Sequence, residues 1–168
     1  SKGLFVLDNL WDGLGALSVV DPSLKYYFGK VTMYNTYNRE ARNMILYFLS
    51  QHFPDTENLI TPIYPLSTHM DVEKMKSLFH HDNFKENYKI LNQEVRKLGI
   101  NVPPLVNAYM SLSPKMRVFG TAVNHEFGEV EETGILIAIN EILEEKKKRH
   151  IETYLKEEAQ PTELIRKA

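Results

Sequence analysis

An α/β fold is the class this sequence predicts, and three observations carry it. The first fifty residues read as helix, strand, helix, an order that suits layered α/β packing rather than a bundle. Two further strand-like segments, joined by a turn, stand late in the chain. Of the 168 residues 43% are hydrophobic, enough for one domain with a core.

The elements follow in order. Residues 4–20 predict an amphipathic helix in which Leu4, Leu7, Trp11 and Leu14 form one stripe, widened by Phe5, Leu10 and Leu17. Gly13 and Gly15 weaken that helix, which suggests close packing against a neighbour, and Asp21-Pro22 ends it. "YYFGKVTMY" (26–34) is aromatic and β-branched and reads as a strand. Asn38 can cap a helix from Arg39 to about Phe53, with Ala41, Met44, Ile45, Phe48 and Leu49 inward. The proline-bearing stretch 54–71 predicts an irregular surface connection, after which Asp71 can cap a short helix through Phe79.

A clearer helix spans 84–99, with Tyr88, Leu91, Val95 and Leu98 on one face and Gly99 as its C-cap. Residues 101–114 predict a short proline-initiated helix. Strands are expected at 116–123 and 129–139, joined by a turn near 124–128. A charged helix from Glu141 onward closes the chain, and Pro161 marks where order is expected to fade.

Composition narrows the function classes. Twenty basic against twenty-two acidic residues leave a formal charge of -2, which argues against nucleic acid as a partner. The absence of cysteine removes disulfides, thiolate metal sites and a Cys nucleophile, and suits a reducing cytoplasm. No apolar run approaches the ~20 residues of a bilayer span. Asp8, Asn9 and Asp12 interrupt the apolar start, which also lacks the basic region and cleavage site of a signal peptide. A soluble, cytoplasmic chain is expected, with any membrane contact peripheral to the inner membrane.

Several constellations could carry chemistry. His80-His81-Asp82 has no HxxxH or HExxH spacing to gather its members round one ion, so a solvated helix end is expected and no metal site. "EEKKKRH" (144–150) could attract an acidic lipid or carrier protein, yet its acidic neighbours cancel most of the field. Arg39 and Arg42, at i and i+3 near a helix start, could grip a phosphate or carboxylate; surface pairing with Glu40 or nearby acids is the alternative. Glu131 and Glu132 are adjacent in a strand, so one faces inward if both faces of the sheet are covered. A partly buried glutamate could take a proton from an amine. If that face is open both are solvated, and spacing alone favours the solvated reading. No GxSxG, Walker loop or complete GxGxxG is present.

Four local features in order resemble a known group: an LWxG helix (Leu10–Gly13), an FGxV strand (Phe28–Val31), a VPPLxxxY element (Val102–Tyr109) and Phe127-Gly128 in a terminal hairpin turn. Over roughly residues 1–150 the chain is similar to GNAT-related acyltransferases often labelled hemolysins. That group includes the N-acyltransferases of ornithine-lipid and glycine-lipid synthesis, and the versions found in Bacteroides-type bacteria look nearest. The label implies no lytic mechanism.

The resemblance implies a GNAT-like three-layer α/β fold with a mixed sheet and terminal β-hairpin, incomplete here because such proteins are about twice as long. Residues 1–158 would form the C-terminal part of the domain and 159–168 a tail. A missing N-terminal half, or a partner chain, would supply the first strands and most of a phosphate loop. The implied reaction moves a (3-hydroxy)fatty acyl group from acyl carrier protein to the α-amine of an amino-acid acceptor. No cofactor is tightly bound; acyl-phosphopantetheine or acyl-CoA is the co-substrate.

Helix 4–20 would face the carrier's phosphate, as helix N-termini suit anions, with Lys2 and Gly3 touching it. Tyr34 or Tyr37 would protonate the leaving thiolate, with strand-edge packing as their alternative role. Glu131 or Glu132 would act as base, and Arg39 or Arg42 would bind a carboxylate or phosphate. Two other functions stay open: a non-catalytic module binding a carrier or partner, made sticky or homodimeric by an exposed sheet edge, and an acetyl-CoA-dependent N-acetyltransferase of small amines.

Overall fold

The computed structural model describes residues 2–152, with side chains from residue 7 onward. Helix α1 (Lys2–Val20) leads into strand β1 (Tyr26–Met33) and helix α2 (Arg39–His52). Helices α3 (Val72–Leu78), α4 (Phe84–Lys97) and α5 (Pro104–Leu112) follow, then strands β2 (Arg117–Asn124) and β3 (Val130–Ala138).

Local chemistry sets the boundaries. The Asn38 side chain accepts from the Glu40 and Ala41 amides at 3.0 Å and so starts α2. Asp71 and Asn83 do the same for α3 and α4 through the amides of Lys74 and Lys85. Pro104 opens α5, where a missing N–H costs nothing. Gly99 closes α4 at φ +75°, a left-handed conformation that glycine adopts without strain.

The three strands form one sheet in the order β1-β3-β2, and every named pairing is antiparallel. This corrects the expectation of a mixed sheet for the described residues, where the one parallel pairing is an isolated bridge between Pro54 and Val118. In register, Tyr27, Gly29, Val31 and Met33 of β1 stand beside Ile137, Ile135, Thr133 and Glu131 of β3. Alternation then gives the inner face Val31, Met33, Ile135 and Ile137, all buried. These join Ala41, Met44, Ile45, Phe48 and Leu49 of α2 in a single core with Leu91, Val95, Val106 and Leu112. The opposite face begins with Tyr26 and Phe28, which stay exposed.

The connection 54–71 is irregular as expected, but it also has a task. The Val118 amide bonds Phe53 O at 2.9 Å, while Leu66 N meets Thr121 O and Val123 N meets Tyr64 O at 2.8 Å. The outer edge of β2 is thereby covered, a common way of blunting a sheet edge.

Three expectations are revised. Leu10 and Leu17 do not widen the buried stripe of α1; both are about half exposed, while Trp11 is buried against Tyr109, ring centroids 5.4 Å apart. Gly15 is closely packed, since a Cβ there would lie 2.7 Å from His150 O, but Gly13 has open space around it. Finally, the segment from Glu141 is not one helix. A 3-10 turn (Ile139–Glu141), a short α6 (Glu144–Lys147) and a π turn (Lys148–Glu152) replace it. Side chains of α1 draw that segment in: His150 Nδ1 pairs with Asp12 at 2.7 Å and Arg149 with Asp8 at 2.8 Å. The tail expected at 159–168, and 153–158 before it, lie outside the described residues.

Candidate active site

The start of α2 and the start of β3 meet at one end of the sheet. Arg39 and Arg42 lie on one side of α2 because residues three apart share a helix face. Both guanidiniums donate through Nη1 to the same atom, Glu131 Oε1, with Arg42 at 2.7 Å and Arg39 in closer contact still. Glu131 is 4% exposed and the Arg42 side chain 8%, whereas the Arg39 side chain is 51% exposed. The inner arginine is fixed further: Asn43 Oδ1 accepts from Arg42 Nε at 3.1 Å and Nη2 at 2.9 Å. Asn43 in turn donates to His69 O at 3.4 Å.

Glu131 Oε2 is different. It is buried and accepts no hydrogen bond. A carboxylate carries about four acceptor positions, and a buried one is ordinarily used. These residues line an open groove of about 530 Å³ whose other walls include Asn35, Ser67, His69, Val123 and Glu129. The arrangement can orient a ligand bearing both a carboxylate and an N–H donor, since an accessible guanidinium and an unused carboxylate oxygen stand side by side.

Two of the expectations about these residues change. Arg39 and Arg42 do not pair with Glu40, which binds Lys74 at 2.7 Å instead. Glu131 is not solvated; alternation turns it inward, while Glu132 points to the opposite face and bonds Lys30 at 2.6 Å. Sequence spacing had offered the arginines and Glu131 separately, and the fold joins them. Asn43 and His69 gave no sequence signal, apart from a polar residue standing next to Arg42 on the buried side of a helix.

The two tyrosines part company. Tyr34 is exposed just after β1. Tyr37 donates its hydroxyl to Asn101 O at 2.9 Å, and burial raises its pKa above the ordinary tyrosine value. Lys2 and Gly3 occupy the first turn of α1, and their side-chain surroundings lie outside the described residues. His80 sits at the exposed end of α3 with Nδ1 3.0 Å from Ser77 O. Among the described residues no three His, Asp or Glu side chains are placed to hold a metal.

A residue unremarked as functional links two sequence motifs. Tyr109, the last position of the VPPLxxxY element, lies over Gly29 of the FGxV strand: a Cβ on Gly29 would stand 2.1 Å from its hydroxyl oxygen. Burial also raises the pKa of Tyr109.

With that geometry described, similarity to known proteins adds the chemistry. Two relatives are named glycine N(alpha)-acyltransferase. The one from Phocaeicola vulgatus is 66% identical over 157 residues, covering 94% of this chain and 48% of the relative. The one from Bacteroides thetaiotaomicron is 67% identical over 155 residues, covering 92% of this chain and 46% of the relative. The chain thus spans about half the length of the glycine N(alpha)-acyltransferases it matches. No family model and no solved structure matches it significantly. Among the described residues no helix is long and apolar enough to cross a membrane.

Proposed function

We propose that the full-length protein is an N-acyltransferase that places a fatty acyl group on the α-amine of an amino acid, with glycine as the preferred acceptor. The observation that carries this reading is the 66% identity to a protein named glycine N(alpha)-acyltransferase across 94% of the chain. The donor is an acyl thioester, a 3-hydroxyacyl group on the phosphopantetheine of acyl carrier protein, and the product enters amino-acid lipid synthesis. The domain is GNAT-like, with the first turn of α1, including Lys2 and Gly3, turned toward the phosphate of the pantetheine arm, where unpaired helix amides favour an anion.

The reaction needs no covalent enzyme intermediate. The amine nitrogen forms a bond to the thioester carbonyl carbon, the C–S bond breaks, and the nitrogen's surplus proton passes to a base while the thiolate gains one. Of the two candidate bases Glu131 is the better placed, because Oε2 accepts no hydrogen bond, whereas Glu132 is tied to Lys30 on the other side of the sheet. Tyr34 is the freer of the two candidate acids, since the hydroxyl of Tyr37 is committed to Asn101 O.

The test is an assay of the full-length protein with 3-hydroxyacyl-carrier protein, acetyl-CoA and a panel of amino acids, with products read by mass. N-(3-hydroxyacyl)glycine from the carrier thioester is expected. Transfer from acetyl-CoA alone would overturn the lipid reading, and no transfer from either donor by folded protein would overturn the enzyme reading.

A further inference from the structure

Arg39 and Arg42 are only three residues apart and touch the same oxygen, yet their surroundings differ. Arg42 is buried and has Nε, Nη1 and Nη2 all engaged, by Asn43 and Glu131. Its role is to hold Glu131 in place, because a buried carboxylate needs a paired charge. Arg39 reaches Glu131 from the solvent side through Nη1 and keeps half its side chain exposed in the groove. Glu131 then presents an asymmetry that pairing with two arginines does not require: Oε1 takes both guanidiniums and Oε2 takes no donor. A buried acceptor is ordinarily used.

We propose that this groove is the acceptor site, in which Arg39 binds the carboxylate of a small α-amino acid and Glu131 Oε2 accepts from its α-amine. The proposal rests on the acyltransferase reading for the identity of the ligand, and on geometry for its place. Oε1 and Oε2 share one carbon, so the remaining N–H groups of Arg39 and the vacant oxygen are neighbours. An α-amino acid likewise carries its carboxylate and amine on one carbon, and can meet both. Oε2 is shielded from bulk water, and Arg39, the exposed member of the pair, is the guanidinium that an incoming carboxylate meets first. The groove holds charges of both signs, the Arg39 guanidinium beside the Glu131 carboxylate, with Glu129 at its rim paired to His125 Nδ1 at 2.8 Å, and so offers partners to a ligand with one group of each sign. A phosphate would gain the guanidinium but meet the Glu131 carboxylate head-on, which disfavours that use of the arginines.

The experiment uses the full-length protein and its Arg39→Ala and Arg39→Gln variants. Glycine and glycinamide, which lacks the carboxylate, are compared as acceptors and as ligands in calorimetric titration without donor. Losing a charge-assisted pair predicts that KM and Kd for glycine rise about 10- to 100-fold. The KM for the acyl donor changes less than about twofold, and the loss with glycinamide is clearly smaller than the loss with glycine. Arg42 still pairs with Glu131 in both variants, so they are expected to stay folded, and the melting curve is recorded to show it. Equal loss with glycine and glycinamide, or a rise confined to the donor KM, overturns the proposal. Arg39-dependent glycine binding without any acyl transfer sustains the groove while sinking the enzyme reading. Efficient transfer to glycine that ignores Arg39 does the reverse.

Discussion

Substituting Gly29 by alanine tests whether the two motifs joined at the sheet are mated as described. The added Cβ would stand 2.1 Å from the Tyr109 hydroxyl oxygen, 3.0 Å from Cζ and 3.4 Å from Cε1. Tyr109 cannot easily yield, since its ring packs edge-on against buried Trp11. Overpacking of this kind costs about 1–3 kcal/mol. Against it stands the loss of backbone freedom in the unfolded chain, which favours alanine by about 0.4–1 kcal/mol. A net loss of up to about 2.6 kcal/mol follows, or a fall in Tm of up to roughly 10 °C for a domain near this size. Urea unfolding should show a lower midpoint with an unchanged slope. Tyr109→Phe removes the oxygen and leaves Cζ at 3.0 Å as the nearest atom, so Gly29→Ala should cost distinctly less in that background. An equal cost in both backgrounds, or stabilisation by Gly29→Ala alone, would refute the mating of Tyr109 to Gly29.

Two further predictions concern stability. Gly13→Ala should stabilise the protein by about 0.5–1 kcal/mol, because the site is open and helical, whereas Gly15→Ala should destabilise it by about 1–3 kcal/mol, because the obstacle is the His150 backbone; thermal melts of the two variants should move in opposite directions. His52 is held below the ordinary histidine pKa by burial, and its Nε2 lies 3.1 Å from Asn87 Nδ2, which donates to it only while that nitrogen is unprotonated. The unfolded chain therefore binds the proton first, so this stabilisation is present above about pH 6.5 and is lost as pH falls through the folded value. Urea midpoints at several pH values should decline less on acidification for His52→Gln than for the parent.

What the sequence revealed, and what it hid, divides along physical lines. Helix α2 was legible because its apolar residues recur at helical spacing and Asn38 announces its start, and the five residues expected inward are all buried. The hairpin was legible because β-branched runs flank a turn; Gly128 at φ +66° and Glu129 at φ +58° form that turn. Lost were features set by partners distant in the chain. The break after the 3-10 turn falls at 142–143, where Leu143 N bonds Leu112 O, and α6 then widens into a π turn where Arg149 and His150 meet Asp8 and Asp12 of α1. Gly13 and Gly15 look alike in sequence and differ only in what faces them. The groove shows the same split: Arg39 with Arg42 is a visible spacing, while the inward turn of Glu131 rather than Glu132 depends on which face the helices cover.

That last dependence gives the short turn between β2 and β3 a role as the site's ruler. Because strand side chains alternate, sliding β3 by a single residue against its neighbours would exchange the two glutamates, carrying Glu132 beneath the arginines and Glu131 out to Lys30. Charge would be conserved, and composition unchanged, yet Ile135 and Ile137 would surface together with the displaced carboxylate. The arginine–glutamate groove is thus locked to the hydrophobic register of the sheet. An insertion or deletion of one residue inside β3 would remove the groove and the core in the same step.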